Sequence, residues 1–161
     1  MNLIVAVSEN WGIGRGNRLI FSIREDLKRF REITMGKVVV MGHNTFKSLP
    51  NGRPLAGRVN IVLSRNESLC LPGAVVLGSI DALTEHLRDF RPQDVFIIGG
   101  AQVYGRLMDR CSRAYVTKVH AAPPADVFMP DMDTAPGWRL AEQSQTFNAD
   151  GLEYTYCLYK R

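Results

Sequence analysis

The segment Ser22-Ile23-Arg24-Glu25-Asp26-Leu27-Lys28-Arg29-Phe30 carries two adjacent acids with different expected duties. Ser22 and Glu25 have the spacing of a capping box, in which the hydroxyl satisfies the N–H of residue 25 and the Glu25 side chain returns to the N–H of Ser22. Asp26 has no such duty. At helical spacing it shares a face with Leu27, Phe30 and Ile33, while Lys28, Arg29 and Glu32 take the outer face. A first-turn acid suits the helix dipole, which is the bland account of Asp26. A carboxylate among apolar groups is costly unless paired, so the alternative is that Asp26 holds a donor-bearing ligand.

Four other stretches carry chemistry of a compatible kind. In Ile97-Ile98-Gly99-Gly100-Ala101-Gln102-Val103-Tyr104 an apolar run meets two glycines and then a helix pattern. Backbone N–H groups there can approach a pyrophosphate, although a tight strand-to-helix turn explains the same residues. It is not the three-glycine dinucleotide fingerprint. Leu63-Ser64-Arg65 sets a hydroxyl beside a guanidinium at a strand end, suited to a phosphate monoester, with Gly42-His43-Asn44-Thr45 leaving another strand at the same edge. Pro50 to Arg58 offers Arg53, Arg58 and the apolar Leu55, a set that can grip a carboxylate beside an aromatic ring. Glu9 to Asn17 is glycine-rich and reads as a closing lid or an ordinary flexible loop.

These groups need a scaffold, and the hydropathy pattern supplies one. Short apolar runs at Leu3–Val7, Lys37–Met41, Val59–Leu63, Ala74–Leu77 and Asp94–Ile98 read as strands buried on both faces. Helix patterns fall between them at Glu25–Ile33, Ile80–Phe90 and Ala101–Met108, with a short turn near Thr45–Ser48 and Ser79 as an N-cap. The C-terminal part changes to strands alone: Arg113–Val119, Arg139–Phe147 and Glu153–Tyr159, with an Asp-Gly turn signal inside residues 148–152. Residues 121–137, rich in Pro and Asp, read as a loop. The expected fold is α/β: a single-domain, three-layer sandwich with a central, mostly parallel, twisted sheet of about eight strands, a C-terminal antiparallel hairpin and about four flanking helices.

Composition narrows the function classes. The chain has 161 residues, 45% hydrophobic and 22% charged, ordinary for a soluble globular domain. The net charge of +4 is spread along the chain without a basic–aromatic run, which argues against nucleic acid and suits an anionic small molecule. Cys70, Cys111 and Cys157 are far apart and form no metal-spaced cluster, as expected of reduced cytosolic thiols without a metal. The N-terminus enters a strand pattern without a signal-peptide layout, and no apolar stretch is long enough to span a bilayer.

In their order and spacing these pieces resemble the dihydrofolate reductases, of the bacterial chromosomal type, over the full length. The matching residues are Ile4-Val5-Ala6, Gly12-Ile13-Gly14, Asp26-Leu27 with Phe30, Val40-Met41-Gly42 with Thr45 and Ser48, Gly52-Arg53-Pro54-Leu55, Gly57-Arg58 with Asn60, Leu63-Ser64-Arg65, Ile98 to Tyr104, Thr117, and Asp126 with Phe128 and Pro130. The resemblance implies that Asp26, assisted by Thr117, pairs with the pterin ring of dihydrofolate and favours N5 protonation. It implies that Arg58 clamps the glutamate tail beside Arg53 and Arg31. Ile4, Val5, Leu27, Phe30, Leu49, Leu55, Ile98 and Tyr104 are then expected to line the substrate. NADPH is the implied cofactor. Its nicotinamide and pyrophosphate would meet Ala6, Ile13, Gly14, Asn17, Arg18, Leu19 and the run Gly99-Gly100-Ala101-Gln102-Val103-Tyr104, with a cis peptide at the two glycines. Its adenosine end, including the 2′-phosphate, would meet Gly42, His43, Asn44, Thr45, Leu63, Ser64, Arg65 and Gly78. Antifolate inhibitors, a cytoplasmic location and a monomer are further implications.

Three positions depart from that pattern. Phe21 stands where the family has a Trp, keeping an aromatic ring in the catalytic group but losing a donor that helps hold an active-site water. Ile20 and Arg24 replace two prolines, which implies a looser lid. His43 replaces a common arginine and weakens the expected phosphate grip. Two rival readings remain at this point: a pyrimidine reductase of riboflavin synthesis, which needs no pairing of Asp26 with Arg58, and a protein that binds NADPH or a pterin without turnover.

Overall fold

The computed structural model describes residues 1–66 and 68–161. In chain order the elements are β1 (Asn2–Val7), β2 (Gly12–Arg15), β3 (Arg18–Leu19), α1 (Arg24–Thr34), β4 (Val38–Gly42), α2 (His43–Ser48), β5 (Val59–Leu63), β6 (Val75–Leu77), α3 (Ile80–His86), β7 (Val95–Gly99), α4 (Ala101–Leu107), β8 (Arg113–Val119), β9 (Val127–Phe128), β10 (Arg139–Gln143), β11 (Phe147–Ala149) and β12 (Leu152–Lys160). The central sheet runs β10-β12-β8-β1-β7-β4-β5-β6, with β11 paired to β12. From β8 to β6 every pairing is parallel, and β12 adds antiparallel pairs on the other side. This is the expected α/β architecture.

The apolar runs became strands because both faces of the sheet are covered. In β4, Val38 and Val40 enter a core with Leu83 of α3 and Val103 and Leu107 of α4. The alternate residues Val39 and Met41 enter a second core with Phe46 of α2. Two-sided burial removes any need for polar alternation. The two-residue turn Asp150-Gly151 takes positive φ at both positions, 51° and 84°, which matches the right-handed twist of the β11–β12 hairpin it closes. Ser79 caps α3, its Oγ accepting from Ala82 N at 3.0 Å.

Several local expectations are corrected. The capping box does not form: α1 starts at Arg24 after Ile23, which has extended dihedrals and no side-chain cap. Ile23 is buried with Val119 and Tyr154, so the chain stays extended one residue longer to seat it. Arg29 does not take the outer face; its guanidinium lies 4.1 Å from the Tyr156 ring centroid. The segment 139–147 is not one strand, because Ser144 Oγ accepts the Tyr156 N–H at 2.9 Å and takes the place of a ladder partner. Residues 9–17 are not a plain loop. There, β2 and β3 form a hairpin closed by Gly16-Asn17, and β2 also pairs with β9, inside the stretch expected to be irregular. Asp126 fastens this small sheet, its Oδ2 accepting from Gly16 N at 2.9 Å while its own N–H donates to Gly14 O at 3.0 Å.

Among the described residues no helix is long and apolar enough to cross a membrane.

Candidate active site

Asp26 and Thr117 meet. Thr117 Oγ1 donates to Asp26 Oδ1 at 2.6 Å, linking α1 to β8. Burial pushes the Asp26 carboxyl above its usual range, opposed by the Thr117 hydrogen bond and by the positive charge of Arg29. One oxygen of Asp26 therefore has a fixed partner, and a second donor brought by a ligand would lower its desolvation cost. Leu27, beside the half-buried acid, is 47% exposed, a state suited to a pocket wall.

Arg58 sits at the other end of the same helix. Its Nη1 donates to Thr34 Oγ1 at 3.1 Å and its Nε to the Ala56 carbonyl at 3.0 Å; its guanidinium lies 6.0 Å from the Phe30 ring centroid. Burial and the charge of Arg31 push its pKa down. Among the described residues no carboxylate pairs with it, so a positive group is held in place without a counter-ion, and an incoming carboxylate supplies one. Asn60 fixes the preceding turn: its side chain bonds Leu55 N, Leu55 O and Arg58 O. Leu49, Leu55 and Ile98 pack beside Val39, Met41 and Phe46. Arg53 is exposed.

The phosphate candidates line up along one sheet edge. Register places Gly99 beside Met41, Gly42 beside Leu63, and Leu63 beside Leu77, so the C-terminal ends of β7, β4, β5 and β6 are neighbours. That edge of a parallel sheet is where ligands settle. It brings together Gly99, Gly100, Gly42, His43, Thr45, Ser64, Arg65 and Gly78. An open groove of about 450 Å³ there is lined by Ser64, Asn66, Val76, Gly78 and Ser79. Asn44, Arg65 and Gln102 are exposed, and Ala101 is half-buried. The Gly99–Gly100 peptide is cis, and Gly99 has φ +121°. Gly42 and Gly100 directly precede α2 and α4.

Between the acid and the glycines lies β1. Ala6 pairs in register with Thr117, and Tyr104 Oη donates to the Ile4 carbonyl at 2.9 Å. The Tyr104 hydroxyl is thus engaged inside the protein, and burial pushes its pKa far up. Ile13 is buried in the main core with Val5 packed against that core, whereas Asn17, Arg18 and Leu19 are exposed on the lid hairpin. Phe21 packs on Ile23, Val119 and Tyr154, where it contributes apolar surface only. Residue spacing did not foretell that Arg29 and Tyr156 join the surroundings of Asp26. The alternation of Tyr154, Tyr156 and Leu158 along a strand was the available signal.

The fold and site define a class: an open α/β sheet with a glycine-rich strand edge on one side of its first strand and a half-buried acid, bonded by Thr117, on the other. A family model described as dihydrofolate reductase matches residues 1–161. The chain is 36% identical over 160 residues to the dihydrofolate reductase of Neisseria gonorrhoeae, covering 99% of this chain and 96% of that one. It is 38% identical over 166 residues to that of Mycobacterium tuberculosis H37Rv, covering 100% and 98%. A solved structure, titled as dihydrofolate reductase from Enterococcus faecalis complexed with NADP(H) and RAB-propyl, superposes with a TM-score of 0.89 at 28% identity, covering 99% and 95%. The chain belongs to the dihydrofolate reductase family, and it is an enzyme of that type.

Proposed function

We propose that the protein reduces 7,8-dihydrofolate to 5,6,7,8-tetrahydrofolate with NADPH, and that Asp26 is the group that makes the pterin accept a hydride. The observation that carries this reading is the placement of β1: residues Ile4–Ala6 lie between the Asp26–Thr117 pair and the Gly99–Gly100 turn, so two ligands seated on the two sides meet at that strand.

The strand edge fits a dinucleotide. A Cβ on Gly42 would stand 3.2 Å from Val103 Cγ2, one on Gly99 3.3 Å from Tyr104 Oη, and one on Gly100 3.2 Å from Thr45 Oγ1. A side chain at any of the three would crowd its neighbours, and at Gly99 it would also meet a positive φ, so glycine suits a backbone that approaches a pyrophosphate. Ser64, Arg65 and His43 are placed for the phosphorylated ribose, and Ala6 and Gly14 for the nicotinamide. NADPH, when bound, supplies the hydride for pterin C6.

The remaining work belongs to the protein. Asp26 accepts from the amino group and ring N3 side of the pterin, which fixes the ring and places a negative charge where positive charge develops. That field favours a proton at N5, delivered through water, as the hydride reaches C6. Thr117 holds the carboxylate in orientation. Leu27, Phe30, Leu49, Leu55 and Ile98 exclude water around the pterin and benzoyl groups, and Arg58, with Arg31 and Arg53 nearby, binds the glutamate carboxylate. Phe21 supplies an apolar wall without a donor.

The test follows NADPH absorbance with dihydrofolate, in wild type and Asp26→Asn. The expected result is consumption by wild type and a fall of about 10²–10⁴-fold in the variant at neutral pH, with NADPH affinity little changed. Equal turnover in the two proteins overturns the role of Asp26. Binding of both ligands without NADPH consumption by wild type overturns the reaction itself and restores the non-catalytic reading.

A further inference from the structure

Asp26 and Arg29 are one turn apart on α1 and so share a face. Their partners are also neighbours. Asp26 is bonded by Thr117 of β8, Arg29 lies over the ring of Tyr156 of β12, and Thr117 and Tyr156 are register partners across the β8–β12 ladder. Opposed residues of an antiparallel pair project from the same face. The helix is therefore pinned to the sheet at two adjacent points. One pin ends in a carboxylate and the other in a guanidinium.

We propose that Arg29 is a positioning residue for catalysis: seated on Tyr156, its guanidinium holds a positive charge on the Asp26 face of the helix and favours the ionised carboxylate that meets the pterin. This rests on the reading of Asp26 given above.

Three features support it. A guanidinium over an aromatic face is held by attraction to the ring, which fixes its distance from groups on the same helix. Among the described residues Arg29 makes no salt bridge, so its charge is not neutralised by another acid. The groups that bear on Asp26 come from three elements: Arg29 from α1, the Thr117 hydroxyl from β8 and the Tyr156 phenol from β12. Of these, Arg29 alone carries positive charge. Together with the Thr117 hydrogen bond it opposes the effect of burial, which pushes the Asp26 carboxyl up. Tyr156 stays a neutral phenol at working pH, because burial and the neighbouring Tyr154 and Asp26 push its pKa up. Its contribution is the ring surface under Arg29.

The test uses the full chain with Arg29→Gln, Arg29→Lys and Tyr156→Leu. The Asp26 carboxyl is titrated by carbon NMR in ligand-free protein, and hydride transfer is measured against pH with saturating NADPH and dihydrofolate. Arg29→Gln is expected to move the Asp26 titration up by about one pH unit, and with it the acid limb of the rate profile, where the carboxylate takes up its proton. Arg29→Lys keeps the charge and is expected to restore most of both. Tyr156→Leu, which removes the ring, is expected to give a smaller upward shift. Unchanged midpoints in Arg29→Gln, by both readouts, overturn the proposal, and so does an equal loss of rate at every pH, which marks a structural role. Asp26→Asn keeps the two readings separable: if it leaves turnover intact the function of Asp26 fails, whereas if it stops turnover while Arg29→Gln shifts nothing, only the role of Arg29 fails.

Discussion

Thr117 and Tyr156 stand opposite each other on neighbouring strands, and each grips a different residue of one helical turn. The carboxylate proposed to serve the substrate is thereby set by the sheet, not by the helix alone. A helix shift of one residue would separate both contacts at once.

Asp26 should cost the ligand-free protein stability. Its carboxyl is pushed up on folding, so the folded state binds its proton more tightly than the unfolded chain does. Stability from this group is therefore fullest below the ordinary carboxylate pKa and falls as pH rises through the raised one. Asp26→Asn removes the charge, and its Tm at pH 7 should exceed that of wild type. The gain expected is on the order of 2–4 °C for each kcal/mol relieved in a chain of this length. The gap should close as the pH is lowered toward 4; a gap of the same size at both pH values refutes the assignment.

Arg58→Leu should act on one ligand only. Loss of a charge-assisted pair with the glutamate carboxylate is expected to weaken dihydrofolate about 100-fold, some 2.7 kcal/mol, while NADPH affinity stays within about two-fold. Fluorescence titration with each ligand separately distinguishes this from a general loss of fold.

Gly99→Ala places a Cβ at φ +121°, 3.3 Å from the Tyr104 hydroxyl. Backbone strain of about 1–3 kcal/mol should appear as a lower denaturation midpoint. NADPH affinity should fall more than dihydrofolate affinity, because the strain sits on the anion-binding edge. Equal losses for both ligands would contradict that division of the site.

Tyr104→Phe tests the bridge between the two halves. It leaves the buried Ile4 carbonyl without its hydroxyl donor, at an expected cost of about 1–2 kcal/mol in stability. Because Ile4 sits in the strand where the two ligands are proposed to meet, the rate of hydride transfer should drop further than either binding constant. A stability loss with unchanged hydride transfer would mean that the bond serves folding alone.

Much of this was legible from residue pattern. Five apolar runs became five of the six parallel strands, because burial on both faces leaves a compositional mark that needs no partner to be read. The Asp150-Gly151 turn and the Ser79 cap were legible for a similar reason: each is local chemistry. What escaped depends on distant residues. Ser22 and Glu25 have the letters of a capping box, yet burial of Ile23 against Val119 and Tyr154 outweighed it. Arg29 looked solvent-facing until Tyr156, 127 positions on, gave it a ring. The lid hairpin did carry a signal, Gly16-Asn17 between two short extended segments, but its pairing with β9 lies more than 100 residues away in sequence. Supports such as these are chosen by packing between distant elements, which leaves no mark in the local sequence.

The sheet does not close on itself, so one border is β10, a strand with every residue exposed. An open row of backbone donors and acceptors invites another chain to add a strand. Here the border carries Arg139 and Glu142 on either side of Leu140 and Ala141, and its register slips between Leu140 and Glu142. Charge, a length of only five residues and a broken repeat deprive a would-be template of the long flat match that fibrous growth requires.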